Sequence, residues 1–177
     1  MKSIELKLIS ELMKNSRRSD RELAKAVGVS QPTVSRTIKR LEKEGYIKEY
    51  TIIPDFQKLG FHLLALTFVR LRQGLSKETS EKARVVAKES LANRHYEIIM
   101  LERGLGLNYT GVIVSYHEDY ASYLELRKWL LQFDFLEIKE VQSFMISLDD
   151  EVHYRPLTFS SLAHYIEKAE KKEDQAV

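Results

Sequence analysis

The chain has 177 residues, of which 44% are hydrophobic and 31% charged, and it contains no cysteine. This composition is typical of a folded protein with one or two small domains, and it excludes a disordered chain, a disulfide framework and a thiolate metal site. The formal net charge is only +2, but Lys and Arg outnumber Asp and Glu in the first fifty residues while the remainder is slightly acidic, which indicates two parts with different partners.

The N-terminal segment predicts two short helices. Apolar residues recur at helical spacing after Ser3, a candidate N-cap, namely at Ile4, Leu8, Ile9 and Leu12. The next helix opens with Ser19 and Glu22 in the spacing of a capping box. Gly28 ends it, because a left-handed residue costs least for glycine.

A third helix follows after about four residues, and Ser30 is its predicted N-cap with Pro32 in the first turn. Its inward-facing residues at helical spacing are Val34, Ile38 and Leu41, and Gly45 ends the helix. Two short helices joined by a glycine-containing turn predict a helix-turn-helix unit. The stretch after Gly45, YIKEYTIIP, alternates enough to predict a short strand pair, the wing of a winged helix, which ends at Pro54.

The outer face of the third helix is polar and basic, which predicts binding to double-stranded DNA. Arg36 can contact guanine and Gln31 can contact adenine in the major groove, while Lys and Arg around them suit phosphates. The candidate DNA-binding residues are Arg17, Arg18, Ser30, Gln31, Pro32, Thr33, Ser35, Arg36, Lys39, Arg40, Lys43 and Lys48.

These residues also carry a resemblance to a known family. The segment from about residue 4 through Gly60, including SQPTVSRTIKRLEKEG, YIKEYT and KLG, resembles the N-terminal domain of the Lrp/AsnC (feast/famine) family of prokaryotic transcription regulators. The resemblance implies a recognition helix in the major groove, assembly as a dimer or larger oligomer, and an archaeal source. The family usually has an aspartate near the start of its first helix, where this chain has Glu5.

The second half predicts a βαββαβ order, which is that of a ferredoxin-like fold. The predicted strands are 61–71, 96–102, 111–117 and 136–148, and the predicted helices are 76–92, with Ser76 as N-cap, and 118–133. Both helices should cover one face of the sheet. We expect a second subunit to cover the other face, because an exposed apolar sheet face aggregates.

The element order of this half resembles the effector-sensing and assembly domain of the same family. The family's effector loop has a glycine followed closely by an aspartate, whereas the segment RGLGLNYTG has no carboxylate for a ligand ammonium. The candidate effector residues implied by the resemblance are Gly104, Gly106, Asn108 and Tyr109. An ordinary hairpin loop without a ligand is the alternative interpretation.

The predicted fold class is therefore α+β, with a winged helix-turn-helix before a ferredoxin-like domain. The predicted bounds are a DNA-binding domain at 1–54, a linker at 55–60, an effector and dimerisation domain at 61–148, and a largely helical C-terminal extension at 149–177. The extension opens its helix near Pro156 and is expected to cover a sheet edge or contact another subunit.

The sequence contains no nucleophile elbow, phosphate loop, zinc motif or paired histidines, so we expect no enzyme, cofactor or metal. It has no apolar run of the roughly 20 residues that span a membrane and no signal-peptide pattern, which predicts a cytoplasmic protein. The alternatives are a pure assembly module and a haem-pathway decarboxylase on the same scaffold, for which Arg94, His95 and Tyr96 are the only candidate pocket residues.

Overall fold

The computed structural model describes residues 3–72, 76–95, 97–152 and 154–174. Two compact units make up the chain: the first comprises residues 1–53 and 153–177, and the second comprises residues 54–152. The chain therefore passes from one unit to the other twice.

The first unit contains three N-terminal helices, α1 (Ser3–Lys14), α2 (Asp20–Val27) and α3 (Gln31–Lys43). Their buried apolar residues form one cluster, with Leu12, Val27, Val29 and Ile38 packed against it; the buried members are Leu8, Leu23, Ala24 and Val34. Leu41 is also fully buried. The predicted helical periodicity thus assigned the core-facing side chains of α3 correctly.

Local signals fix the ends of α2. Ser19 accepts a hydrogen bond from the Glu22 backbone N–H, and the Glu22 carboxylate accepts one from the Ser19 backbone N–H in return, which confirms the capping box. Gly28 has φ +78°, and its N–H donates to the Ala24 carbonyl. A side chain with a Cβ is strained at this φ, so glycine makes the corner between α2 and α3.

The segment after α3 differs from its prediction. Residues 47–53 are all described and contain no strand, so the prediction of an intrachain hairpin there is wrong. The segment has alternating apolar residues but lacks the glycine or asparagine of a tight turn, and an isolated two-stranded hairpin is marginal in water. Its apolar side chains are largely exposed, namely Tyr46, Tyr50, Ile52 and Ile53.

The second unit is a four-stranded antiparallel sheet with two helices. Its elements are β1 (Leu63–Leu71), α4 (Lys77–Asn93), β2 (Ile98–Gly106), β3 (Tyr109–His117), α5 (Tyr120–Leu130) and β4 (Ile138–Ser147). The strand order is β2-β3-β1-β4, and β1 lies antiparallel to both β3 and β4. This arrangement confirms the predicted ferredoxin-like fold.

The two faces of this sheet differ in how they are covered. Val69 and Ile113 pack against Leu126, Trp129 and Leu130 of α5 on one face. On the other face, the register places Leu66 between Val114 and Phe144, and Phe68 between Val112 and Gln142. Phe144 is 64% exposed, so this second face is apolar and open to solvent.

The C-terminal extension contributes helix α6 (Ser160–Asp174). It packs on α1: Ala163 is fully buried, and the Ser10 hydroxyl lies 3.1 Å from the Ala163 carbonyl oxygen and 2.8 Å from Glu167 Oε1. Glu167 also accepts a hydrogen bond from Lys14. The extension, predicted to cover a sheet edge or meet another subunit, therefore belongs with the N-terminal helices in one compact unit.

The described residues contain neither a membrane-spanning helix nor a metal-binding cluster. None of the described helices has the length and apolar character required to cross a bilayer. Within the same residues, His, Asp and Glu form no group of three that could hold a metal ion.

Candidate nucleic-acid interface

The outer face of α3 is formed by residues spaced four, three and four apart, which places them on one side of a helix. They are Pro32, Arg36, Lys39 and Lys43, and all four are exposed. Arg36 Nε donates to the Pro32 carbonyl oxygen at 3.2 Å, so its stem lies along the helix surface. Within the described part of the chain, Lys39 and Lys43 make no ion pair, and both remain available to an anion.

The N-terminal turn of α3 presents short polar groups. The Ser30 hydroxyl accepts from the Thr33 N–H at 3.4 Å and lies 2.8 Å from the Thr33 hydroxyl. Ser30 has extended backbone angles, φ −73° and ψ 150°, as an N-cap requires. Gln31 is exposed and Ser35 partly exposed. The capping role of Ser30 is thus structural, while Gln31 and Ser35 face solvent beside the basic residues.

Two of the predicted phosphate contacts are occupied by acidic partners. Arg40 donates to Glu5, which is only 4% exposed, and lies 3.6 Å from Glu44. The hydrogen bond that Arg40 donates to the Glu5 carboxylate holds the pKa of the Arg40 guanidinium above its usual value. Arg18 forms an ion pair with Glu11 of α1. These two arginines hold α3 and the α1–α2 turn to helix α1.

The remaining predicted contacts lie at the edges of this surface. Arg17 and Lys48 are exposed, and neither forms an ion pair with another described residue. Beside them, the Tyr50 hydroxyl donates to Glu42 at 3.0 Å. Partial burial raises the pKa of Tyr50 to about 12, with a smaller contribution from that hydrogen bond. The hydroxyl therefore remains protonated, and its hydrogen bond connects the chain after α3 to the helix.

The sequence prediction missed the acidic residues that organise this surface. Glu5 lies on α1, 35 positions before Arg40, and no local spacing signals that contact. The only available signal was the resemblance, which marked Glu5 at a position where the family has an acid. Glu42, by contrast, was visible on α3, but its partner Tyr50 depends on the path of the chain after the helix.

The predicted effector loop forms a tight two-residue turn between β2 and β3. Leu107 and Asn108 have φ +49° and +66°, and the strands extend to Gly106 and Tyr109 on either side. A hairpin turn with both central residues at positive φ matches the twist of the strands. Gly104 lies within β2 rather than in a loop.

Three of the four candidate effector residues line one cavity of about 410 Å³, namely Gly106, Asn108 and Tyr109. Three basic side chains line it with them, Arg70, Arg72 and Lys139. Two of these are paired, Arg70 with Glu140 and Arg72 with Glu137 at 2.8 Å. Lys139 makes no ion pair with another described residue, so among these three basic side chains it is the one available to an anionic ligand.

Among the residues of the decarboxylase alternative, His95 contacts neighbouring side chains. His95 Nδ1 lies 2.8 Å from Glu97 Oε1, and its ring centre lies 4.2 Å from that of Trp129. Arg94 is exposed at the end of α4, and Tyr96 lies outside the described residues. The observed contacts of His95 give no support to a tetrapyrrole site.

Comparison with known sequences relates the N-terminal segment to DNA-binding proteins. A family model described as winged helix-turn-helix DNA-binding matches residues 1–48. An HTH-type transcriptional regulator of Pyrococcus furiosus is 33% identical over 106 residues, which is 60% of this chain and 66% of that protein. The Bacillus subtilis regulator LrpC is 46% identical over 57 residues, 32% of this chain and 40% of LrpC. Both matches cover less than two thirds of the relative's length.

Solved structures share the fold of the chain. An AsnC family transcriptional regulator from Agrobacterium tumefaciens has a TM-score of 0.70 at 21% identity, covering 92% of this chain and 99% of its own. A Neisseria meningitidis transcriptional regulator in complex with L-methionine has a TM-score of 0.68 at 18% identity, with coverage of 92% and 99%. Escherichia coli AsnC has a TM-score of 0.64 at 20% identity, with coverage of 89% and 97%.

Proposed function

We propose that this chain, which is similar to HTH-type regulators that include LrpC, is a regulator of the Lrp/AsnC type that binds double-stranded DNA in a sequence-specific manner and does not act as an enzyme. The observation that carries the proposal is the outer face of α3. Arg36, Lys39 and Lys43 stand exposed on one side of that helix, while its opposite side fills the core of the unit. It acts in the cytoplasm, where prokaryotic DNA is found.

The proposed contacts divide into two kinds. Gln31, Ser35 and Arg36 lie towards the front of α3, where side chains reach base edges in the major groove. Lys39, Lys43, Arg17 and Lys48 contact phosphates, which position the protein without reading sequence. Arg18 and Arg40, although basic, serve mainly to hold the helices, because each is already paired with a glutamate.

We further propose that the protein acts as a dimer or larger oligomer through the open face of its sheet. Leu66, Phe68 and Phe144 belong to an apolar surface that a folded monomer leaves in water. A two-fold related pair of α3 helices then reads a near-palindromic site, with half-sites about one helical turn, or a multiple of it, apart.

A small-molecule effector is proposed for the cavity beside the β2–β3 turn. Its basic lining suits a carboxylate, while RGLGLNYTG offers no acid for an ammonium group. Binding of this effector is measured by titrating the protein with an amino acid and with the matching 2-oxo acid. Tighter binding of the oxo acid is expected, and equal binding of both contradicts the assignment.

The DNA-binding proposal is tested by selecting fragments of genomic DNA with the purified protein and measuring affinity against salt concentration. Specific fragments should be enriched, and the logarithm of the binding constant should fall by about 0.9 per phosphate contacted for each tenfold rise in salt. Failure to enrich any fragment, with salt-independent binding, overturns the proposal in favour of a pure assembly module.

Substitution of Arg36 separates base reading from phosphate contact. Arg36→Ala should weaken binding to a selected fragment by about 1–3 kcal/mol and leave binding to random DNA almost unchanged. Lys43→Ala should weaken both by a similar factor and reduce the salt dependence, because a phosphate contact is independent of sequence. Lys128→Ala, an exposed change on α5, is the control. An equal loss on both DNAs for Arg36→Ala assigns Arg36 to phosphate.

A further inference from the structure

A second cavity in the sheet unit lies between α4, the end of α5 and the helix-covered face of the sheet. Its volume is about 420 Å³, within the range of about 300–1,000 Å³ typical of small-molecule sites. Rings and aliphatic chains form most of its wall, including Leu101, Ile113, Trp129, Phe133 and Phe135. We propose that this cavity, termed the α4 cleft, binds a small hydrophobic carboxylic acid.

The cleft exists because α4 does not pack closely on the sheet. None of its described residues is buried, although Ala83, Val86 and Ala87 line the cleft on one side of the helix. These side chains are short, and a helix covering a sheet normally buries its apolar stripe. Binding of an apolar molecule in such a space is favourable, because it removes the apolar walls and the ligand from contact with water.

The sheet side of the cleft is also lined by a residue without a side chain, Gly111. Gly111 pairs with Val69 on β1 and with Arg103 on β2, so these three positions share the helix-covered face of the sheet. Glycine adds no side chain there, and a glycine within a strand often marks a close approach by a ligand. The shape of the cleft therefore accommodates a flat or branched apolar group above Gly111.

Charge near the cleft favours an acidic ligand. Arg103 lines the cleft and makes no hydrogen bond or ion pair with any other described residue. Arg84, across from it on α4, lies 3.1 Å from Glu81 in an exposed pair. Glu102, adjacent to Arg103, also lines the cleft, and its backbone oxygen lies beside Gly111. Because successive strand residues point to opposite faces of a sheet, we assign its backbone rather than its carboxylate to the cleft wall.

These two features together define the ligand class. The apolar wall requires a hydrophobic body. The Arg103 guanidinium, which has no acidic partner among the described residues, favours a carboxylate, with which arginine forms paired, charge-assisted hydrogen bonds. The site differs from the cavity beside the β2–β3 turn, which has a basic lining and belongs to the proposed effector site. Neither the cleft nor its ligand requires that the protein bind DNA.

The test uses Trp129, which lines the cleft and is the only tryptophan of the chain. Phenylbutyrate is titrated while the Trp129 fluorescence is recorded, and calorimetry gives the stoichiometry. We expect a saturable change with one site per chain. The uncharged analogue phenylbutyramide should bind at least about tenfold more weakly, because it loses the charge-assisted hydrogen bond. Acetate, which lacks the apolar body, should not bind measurably.

Two variants test the two features of the cleft separately. Arg103→Gln should reduce phenylbutyrate affinity to that of the amide while leaving amide binding unchanged. Ala87→Leu fills the space, so it should abolish both and raise the melting temperature. Arg127→Gln and Ala121→Leu, exposed changes on α5, are the matched controls and should bind as the wild type does.

The proposal is overturned by a non-saturable fluorescence change, by equal binding of acid and amide, or by an Arg103→Gln variant with wild-type affinity. If Ala87→Leu does not fold, the comparison of acid with amide on the wild type and on Arg103→Gln still decides. A loss of DNA binding in any variant does not bear on this result, which is measured on protein alone.

Discussion

Single residues on α3 show that similar side chains have different tasks. Arg36 and Arg40 are one helical turn apart, and helical spacing alone places both outside the core. Arg36 donates a hydrogen bond to the Pro32 carbonyl of its own helix, whereas Arg40 donates to a buried carboxylate from α1. The sequence predicted the outward direction of both residues, but the contact with Glu5 depends on how α1 packs on α3. A basic residue on the outer face of a helix can therefore be assigned to DNA only after its contacts in the folded protein are known, because an acidic neighbour can already occupy it.

Arg40 has two acidic neighbours, one buried and one exposed, so substituting each in turn measures how much the buried contact with Glu5 contributes to stability. Glu5 is 4% exposed, while the side chain of Glu44 is 43% exposed. Glu5→Gln should lower the free energy of unfolding by about 1–3 kcal/mol, because it weakens a hydrogen bond to a charged group. Glu44→Gln should change it by less than about 0.5 kcal/mol, as exposed ion pairs contribute little. Urea unfolding followed by circular dichroism gives both values, and similar losses for the two variants contradict a structural role for Glu5.

His117 is a buried residue whose protonation affects stability. It is 2% exposed, and its Nε2 lies 2.7 Å from the Ser115 hydroxyl. Burial lowers the pKa of His117 below its ordinary 6.5, although Glu97 and Asp119 act in the opposite direction. Between the folded pKa and about 6.5, the unfolded chain binds a proton that the folded chain does not. The native state should therefore lose stability as pH falls through that window.

His117→Gln removes this titration while keeping a polar side chain beside Ser115. Urea midpoints measured from about pH 7.5 down to about pH 5 should fall less steeply for the variant than for the wild type. Parallel curves for the two proteins show that His117 does not titrate differently on folding. A steeper curve for the variant reverses the sign and contradicts the assigned direction.

Individual elements were predictable where their signals are local. The Ser19 capping box, the Gly28 corner and the Ser76 cap of α4 were all read from neighbouring residues, and all are formed. The hairpin after Gly45 was not, because alternation shows that a segment can form a strand but not whether a partner is available. The loop between β2 and β3 was predicted to be longer than it is. The observed two-residue turn requires a positive φ at Leu107, which its residue type disfavours, so no local pattern signalled it.

Helix α6 shows the same limit over a longer distance. Its apolar residues predicted a helix, but its partner α1 lies about 150 positions earlier in the chain. The contact rests on Ala163, which is fully buried, and on the Ser10 hydroxyl beside it. No local pattern marks an alanine and a serine as contact residues, and this packing became visible only in the folded unit.

A charge at the α1–α6 contact should detach α6. Ala163→Glu places a carboxylate where Ala163 is 0% exposed, whereas Tyr165→Glu places one where Tyr165 is 70% exposed. An unpaired buried charge costs several kcal/mol, and releasing α6 avoids that cost. Trypsin should therefore cleave the C-terminal segment faster in Ala163→Glu than in Tyr165→Glu or the wild type. Equal cleavage rates in the two variants contradict the packing of α6 on α1.

At the scale of the whole molecule, each unit supplies a different surface. The first unit presents a basic helix face, and the second presents an apolar sheet face made of Leu66, Phe68, Val114 and Phe144. Val112, the neighbour of Phe68 on β3, is also apolar, whereas Gln142, the neighbour of Phe68 on β4, is polar. The apolar area therefore runs from β3 to β1 and reaches β4 at Phe144. The distribution of charge predicted two parts with different partners, and the placement of both helices on one face of the sheet predicted the open face. The second subunit expected to cover that face remains a prediction.

If a second copy of the chain covers this face, a single charged substitution there should dissociate the dimer. Phe144→Glu should shift the protein from a dimer towards a monomer of 20.7 kDa, because a carboxylate in the centre of an apolar interface is desolvated without a partner. Leu131→Glu, at the exposed apolar C-cap position of α5, should leave the assembly unchanged. Sedimentation velocity over about a hundredfold range of concentration gives the mass of each species.

Loss of the dimer should also weaken DNA binding, and the loss should depend on the number of half-sites in the DNA. Two α3 helices on one protein bind neighbouring half-sites together, so loss of the dimer reduces affinity for a two-half-site fragment far more than for a single half-site. Circular dichroism must show that Phe144→Glu retains its fold. A wild type that sediments as a monomer at every concentration, or a Phe144→Glu variant with the wild-type mass, shows that the sheet face has another partner.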